Sequence, residues 1–233
     1  MRFVLVGQPN CGKSTVFNQV CGYKAETGNF SGTTVTFTES RVRLAGDVVS
    51  LVDLPGTYSL SGSNLAEKEV FTYLAAHDFD CIINVLDASH LELGLALTVE
   101  LMELQRPMIC VLNMIDEADH LGMRVDINSL SKTLGMPVVP MIARLGRGVK
   151  EVFLTALKTA KSHQSPTRLS FSQPIEAQIS VVKKALGGVG MSMPAEALGI
   201  KALEGEKAAF DLIATQQPEV LETIQTLARG FPD

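Results

Sequence analysis

Three short runs in this chain carry residue types that could act together on one ligand. The first, Gly7-Gln8-Pro9-Asn10-Cys11-Gly12-Lys13-Ser14, lies between an apolar run at 3–6 and a helical pattern at 13–20. Its glycines let backbone N–H groups turn inward around phosphate oxygens, and the helix start adds positive potential. In a loop of this kind Lys13 reaches the β- and γ-phosphates, and the Ser14 hydroxyl takes a place in a Mg²⁺ shell. The second run, Asp53-Leu54-Pro55-Gly56, follows an apolar stretch at 48–52. Its carboxylate can hold Mg²⁺ through water, and the Gly56 N–H can meet a γ-phosphate. The third, Asn113-Met114-Ile115-Asp116, follows an apolar run at 108–112. The Asp116 carboxylate can accept from guanine N1–H and the exocyclic amine, which adenine cannot supply, and the wrong base would leave that carboxylate unpaired. In isolation Asp116 also reads as the N-cap of an ordinary strand-to-helix turn. The order of the three runs is what points to a nucleotide.

Two further segments belong to the same chemistry. A hydroxyl on a loop between the first two runs is needed to close on Mg²⁺ when a γ-phosphate is present, and Thr33 and Thr34 both qualify. Beyond the last strand pattern, Ile142-Ala143-Arg144 stands where backbone N–H groups would meet guanine O6.

These runs must be positioned by a sheet. Strand-like runs at 3–6, 48–52, 82–86, 108–112 and 138–142 alternate with helical patterns at 13–20, 67–76, 91–104, 127–134 and 149–161. Such alternation, with strands too apolar to be half exposed, predicts an α/β fold with a mostly parallel, doubly wound sheet. An alternating stretch at 35–44 followed by Ala45-Gly46-Asp47 predicts a hairpin, hence one antiparallel strand. After Lys161 a Ser-, Gln- and Pro-rich stretch reads as a linker. From Ile175 onward apolar residues fall at helical spacing, with Pro194 and Pro218 at helix starts, so a small all-helical domain is expected. The domain boundaries read as 1–163 and 174–233.

Composition narrows the partners. With 46% hydrophobic and 19% charged residues the chain has ample apolar surface to bury. A formal net charge of −5 gives no general attraction for phosphate backbones, so nucleic acid is not an expected partner. Cys11, Cys21, Cys81 and Cys110 form no CxxC pair and read as reduced thiols. The apolar run after Arg2 is too short for a signal peptide, and no run approaches the roughly 18 apolar residues of a membrane span.

The motifs together resemble the GTPase domain of the ferrous iron transport protein B family. The resemblance runs from Met1 to about Lys161 through GQPNCGKSTVFNQVCG, GNFSGTTV, DLPGTYSL, NVLDASHLE, LNMIDEAD and LGMPVVP. It implies a P-loop GTPase that uses GTP/GDP with Mg²⁺ and K⁺. The nucleotide set it implies is Gly7 to Thr15, Gly32, Thr33, Thr34, Asp53, Gly56, Asn113, Met114, Asp116, Ile142, Ala143 and Arg144. Thr34 aligns with the family's Thr before Val and becomes the switch magnesium ligand beside Ser14 and Asp53. Asn10 matches a P-loop Asn associated with potassium, and the loop from Gly28 to Phe30 would complete that ion's shell.

Lys13, Thr34 and Gly56 then carry catalysis. Glu67 matches an acidic family position as a catalytic helper, although it also simply favours a helix N-terminus. No Gln follows Gly56, where the chain reads Thr57-Tyr58, so intrinsic hydrolysis should be slow. Gln8, Phe30 and Ala143-Arg144 depart from common family residues. The resemblance also implies a membrane portion of the same protein as partner, admits a second copy of the chain, and places this domain at the cytoplasmic face of a bacterial inner membrane. An RNA-associated assembly GTPase would carry a basic appended domain, which the acidic tail does not supply. A regulatory module in which hydrolysis only resets the conformation stays open.

Overall fold

The computed structural model describes residues 1–22, 26–29, 35–187 and 193–230. They fall into two compact units, and the division is not one cut in the chain. The first comprises 1–59, 79–102 and 106–167, and the second 60–78, 103–105 and 168–233.

The first unit is built on a seven-stranded sheet in the order β2-β3-β4-β1-β5-β6-β7. Its strands are β1 (Arg2–Gly7), β2 (Glu26–Asn29), β3 (Thr36–Leu44), β4 (Asp47–Asp53), β5 (Cys81–Asp87), β6 (Met108–Asn113) and β7 (Val138–Pro140). Strands β4, β1, β5, β6 and β7 are mutually parallel, whereas β2, β3 and β4 run antiparallel. The predicted hairpin is present: β3 and β4 join through Ala45 (φ 48°) and Gly46 (φ 95°). Positive φ at both loop positions gives the primed turn whose twist suits paired strands.

The central strands are buried on both sides because helices cover both faces. Every residue of β6 and all but the first of β1 are buried. The helices of this unit are α1 (Lys13–Cys21), α3 (Leu91–Glu103), α4 (Ile115–His120), α5 (Ile127–Leu134) and α6 (Val149–Ser162). Phe3, Leu5, Phe17, Ile83, Val111 and Phe153 belong to one apolar cluster linking the sheet with α1 and α6. This is the doubly wound α/β architecture that the alternation predicts.

One strand is shorter than expected. The apolar run to Ile142 predicts a strand over 138–142, but β7 stops at Pro140. Ile142 leaves the ladder because its N–H donates to Arg147 O at 3.0 Å and its carbonyl accepts from Arg147 N at 3.2 Å. A tight turn replaces the strand end.

The second unit holds α2 (Leu65–Ala76), α7 (Gln173–Leu186), α8 (Ala195–Leu203), α9 (Lys207–Gln216) and α10 (Pro218–Arg229). Ile179, Val182, Leu198, Ile213 and Ile224 form buried positions on the last four. A Cβ on Gly199 would sit 2.9 Å from Val182 Cγ1, so the glycine permits the close crossing of α7 and α8. Pro194 and Pro218 stand at helix starts, as their fixed φ and missing N–H favour. Among the described residues no helix is long and apolar enough to cross a membrane.

Candidate functional site

The carboxyl ends of neighbouring strands bring the three sequence runs to one sheet edge. Leu5 of β1 pairs with Asp53 of β4, Gly7 with Val85 of β5, and Asp87 of β5 with Asn113 of β6. Strand β1 lies between β4 and β5, so the chain passes across β1 between those two strands, and that switch opens the crevice where α/β sheets bind ligands.

The loop after β1 is shaped by what its glycines exclude. A Cβ on Gly7 would lie 2.4 Å from Val85 O, and one on Gly12 would lie 2.2 Å from Asn113 Nδ2. One on Gly56 would lie 2.9 Å from the backbone of Pro9. Asn10 (φ 66°) and Gly12 (φ 87°) take left-handed conformations that turn the loop into α1. That helix begins with neither a side-chain cap nor an acidic residue in its first turn. Its leading N–H groups and the positive end of its dipole are therefore offered to an anion.

Lys13, 7% exposed, pairs its ammonium with the Asp53 carboxylate. The other Asp53 oxygen accepts from Ser14 Oγ at 2.8 Å. The cation expected on phosphate and the two oxygen ligands expected on Mg²⁺ are thus one cluster, in which Lys13 and Asp53 are buried and Ser14 is exposed. Hydroxyl and carboxylate oxygens are hard donors of the kind Mg²⁺ takes, so the residues fit that ion. A cavity of about 560 Å³ beside them is lined by Gln8, Pro9, Asn10, Lys13, Ser14 and Gly56, among others.

A second cavity, of about 120 Å³, lies over Asn113, Met114, Asp116, Ile142, Ala143 and Arg144. Gly12, Thr15 and Met114 line both cavities, so the two adjoin. Asn113, 2% exposed, braces the site: Nδ2 donates to Cys11 O at 2.9 Å, and Oδ1 accepts from Ala143 N at 2.9 Å. One side chain therefore ties the phosphate loop to the turn after β7. Its bracing role was not among the sequence-based expectations, although a polar residue ending a fully buried strand is the signal for it, since such a group must find partners.

Asp116 stands at the second position of α4, whose N-cap is Met114 in the left-handed region (φ 60°). The N-cap alternative for Asp116 is thereby excluded. Its carboxylate accepts from the Arg144 guanidinium. Desolvation would raise its pKa, but the Arg144 hydrogen bond and charge, with the N–H groups of Asp116 and Glu117, outweigh this and hold the carboxyl below its ordinary value. In the 142–144 turn the N–H groups of Ile142 and Ala143 are already donated, to Arg147 O and Asn113 Oδ1.

The remaining expected residues fall in several places. Gln8 donates its side-chain amide to Leu93 O at the start of α3. The Cys11 thiol is buried and pushed up to about 11 by desolvation, so it stays protonated within the loop. Gly28 sits in β2 opposite Phe37. Phe30, Gly32, Thr33 and Thr34 lie outside the described residues.

Glu67 belongs to the second unit, in the first turn of α2. One of its carboxylate oxygens accepts from Ser63 N at 3.2 Å, Ser63 Oγ at 2.6 Å and Ser61 Oγ at 3.1 Å. Burial opposes its ionisation, but the hydrogen bonds from Ser63, Ser61 and Asn64 prevail and lower its pKa. Thr57, after Gly56, is 1% exposed and donates Oγ1 to Ser59 O at 2.7 Å.

A sequence model of the family described as Ferrous iron transport protein B matches residues 1–156. The Fe(2+) transporter FeoB of Escherichia coli (strain K12) is 38% identical over 206 residues, covering 87% of this chain and 26% of that protein. Its Salmonella typhimurium counterpart is 38% identical over 209 residues, 87% of this chain and 27% of that protein. The chain thus spans about a quarter of the length of these relatives. Among solved structures, the cytosolic domain of L. pneumophila FeoB superimposes with a TM-score of 0.83 at 30% identity, covering 99% of this chain and 94% of that one. The cytosolic domain of the T. maritima FeoB iron transporter in its GMPPNP form gives a TM-score of 0.84 at 28% identity, covering 99% and 97%.

Proposed function

Because the chain belongs to the ferrous iron transport protein B family, we propose that it binds and slowly hydrolyses GTP, residues 1–163 forming the nucleotide domain and 174–233 an appended helical domain. The observation that carries this reading is the uncapped start of α1 beside Lys13, Ser14 and Asp53, adjoining a pocket that presents the Asp116 carboxylate. The first half suits phosphates and the second suits a guanine edge.

Each residue then has a defined task. The Lys13 ammonium leaves Asp53 to meet the β- and γ-phosphates, which are the stronger, doubly ionised partner. The loop N–H groups hold the remaining phosphate oxygens without rearrangement, because Gly7, Gly12 and Gly56 already fix the cradle. Asp116 selects guanine, and the Arg144 N–H is left to meet O6, since those of Ile142 and Ala143 are engaged. Ser14 and Asp53 would hold Mg²⁺ together with Thr34, and when bound the ion neutralises charge on the phosphates. Asn10, exposed at the rim of the phosphate cavity, offers an amide oxygen of the kind a K⁺ ion takes, and the family resemblance adds Gly28, which stands in β2, and Phe30 to that ion's shell.

Hydrolysis is slow in this reading because Thr57, not Gln, follows Gly56, and its hydroxyl is not turned towards the phosphate site. The Thr57 hydroxyl is turned onto Ser59 O. The γ-phosphate-dependent closure of the Thr34 loop would signal to a membrane portion of the same protein and gate Fe²⁺ uptake. Phosphate release from GTP, measured with Mg²⁺ at matched ionic strength in potassium and in sodium, tests the enzymatic claim. Expected is slow turnover that is faster in potassium, with most of that acceleration lost in Asn10→Ala and hydrolysis impaired in Thr34→Ala. Absence of turnover in either salt would sink the enzymatic reading.

A further inference from the structure

The geometry points to Arg144 as an internal occupant of the base-reading carboxylate: its guanidinium holds Asp116 where guanine would bind, so base entry is an exchange of one set of N–H donors for another. The inference rests on the reading of Asp116 as the guanine-selecting residue.

The chemistry of the two occupants is closely matched. Guanine presents N1–H and the exocyclic amine as two parallel donors flanking one carbon, which is itself a guanidine-like fork. Arg presents the same kind of planar fork, and both suit a carboxylate with two acceptor oxygens. The Arg144 terminal nitrogen donates to Asp116 Oδ2. A base that needs both Asp116 oxygens must therefore displace it.

Burial decides which partner yields. The Asp116 side chain is 17% exposed and fixed on α4, whereas the Arg144 side chain is 60% exposed and extends from a surface turn. The guanidinium can swing into solvent without disturbing the Asn113 brace, which uses the backbone of Ala143 rather than any atom of Arg144. It also has somewhere to go, because Glu117 Oε1 lies 3.9 Å from the same terminal nitrogen. Between ligands, the exchange keeps the Asp116 charge partnered. Its consequence is that Arg144 lowers the affinity for guanine nucleotides relative to adenine nucleotides, which make no use of Asp116.

The experiment is displacement of a fluorescent GDP by GDP and by ADP from the parent, from Arg144→Ala and from Arg144→Gln, which keeps part of the aliphatic stem. Both variants retain the backbone N–H, and the residue is exposed enough that folding is not at risk. Because removing a positive charge alters attraction for the diphosphate equally in both ligands, the ratio of GDP to ADP affinity is the readout. Expected is a rise of about threefold in that ratio in both variants, the size an exposed charged pair allows. A ratio that stays level or falls would overturn the inference, since Arg144 would then act on the diphosphate alone or grip the base directly. A parent that fails to distinguish GDP from ADP would instead overturn the reading of Asp116 beneath it, whatever the variants do.

Discussion

Two helix starts in this molecule are built in opposite ways. In the second unit, α2 satisfies itself: Asn64 accepts from Glu67 N at 3.0 Å, and the Glu67 carboxylate returns along the chain to Ser63 and Ser61. This is a close variant of the reciprocal capping arrangement, and it leaves little for a ligand to bind. In the first unit, α1 starts at a left-handed glycine with no side-chain cap, and carries a buried lysine where an acidic residue would favour the dipole. A helix start without a side-chain cap leaves its leading N–H groups available to an anion. In the proposed reading the contrast separates stability from binding: Glu67 serves a helix start, and Lys13 serves the phosphates.

The sharpest way to break that contrast is Lys13→Ala. The expected loss of GDP affinity is about a hundredfold or more, since the phosphates lose their buried charged donor. Calorimetric titration giving an affinity within threefold of the parent would remove Lys13 from the site.

Asn113→Ala comes next, because it strips a partner from both Cys11 O and Ala143 N inside the fold. The expected cost is about 2 kcal/mol or more in urea unfolding, accompanied by weaker GDP binding. Unchanged stability would mean that the brace is replaced by water.

Glu67→Ala should cost about 1 kcal/mol of stability through the loss of the α2 start, with GDP affinity unaltered. A variant with parental melting but slowed GTP turnover would favour Glu67 as a catalytic helper over the helix-start reading and dissolve the contrast.

The smallest effect concerns acid. In the second unit, hydrogen bonds from Arg168 and the Phe171 N–H hold Glu176 at about 2, and Lys183 together with Arg168 lowers Glu196 against its desolvation. A carboxyl depressed below its ordinary 4.5 stabilises the fold above that pH, and the contribution fades as pH falls from about 4.5 towards 2. The Arg168→Ala variant should therefore melt about 2 °C or less below the parent at pH 7, the gap closing by pH 2, because these pairs are exposed and screened. A gap that stays constant across that range would assign the effect to packing of the Arg stem.

Most of this architecture was legible in the residues. Fully apolar runs such as those of β1, β5 and β6 announce central strands, and Gly7 to Ser14 names its own position between strand and helix. Two elements escaped detection because they carry too little pattern. The Glu-Thr-Gly-Asn stretch of β2 is mostly exposed and has no apolar alternation, and α4 spans only Ile115–His120, too short for a 3.6-residue period to show. The end of β7 was overextended because Met141 and Ile142 are strand-like by type, whereas the turn with Arg147 is a matter of tertiary geometry.

At the candidate site the ligand-facing residue types were readable, but their mutual contacts were not. Spacing cannot disclose that Lys13, Ser14 and Asp53 close on one another, or that Arg144 reaches Asp116 across 28 positions. Nor does sequence order reveal that residues 60–78 cluster with the C-terminal helices, since that grouping joins segments distant along the chain.

The central claim is that this sheet edge reads a guanine base through Asp116 while α1 holds its phosphates. Titrating GDP, ADP and XDP against the parent and Asp116→Asn tests it most directly. The parent should prefer GDP over ADP by about a hundredfold or more, and Asp116→Asn should shift preference from GDP to XDP, whose C2 carbonyl an amide can meet. Equal binding of GDP and ADP by the parent, or an Asp116→Asn variant that keeps the parental order, would contradict it.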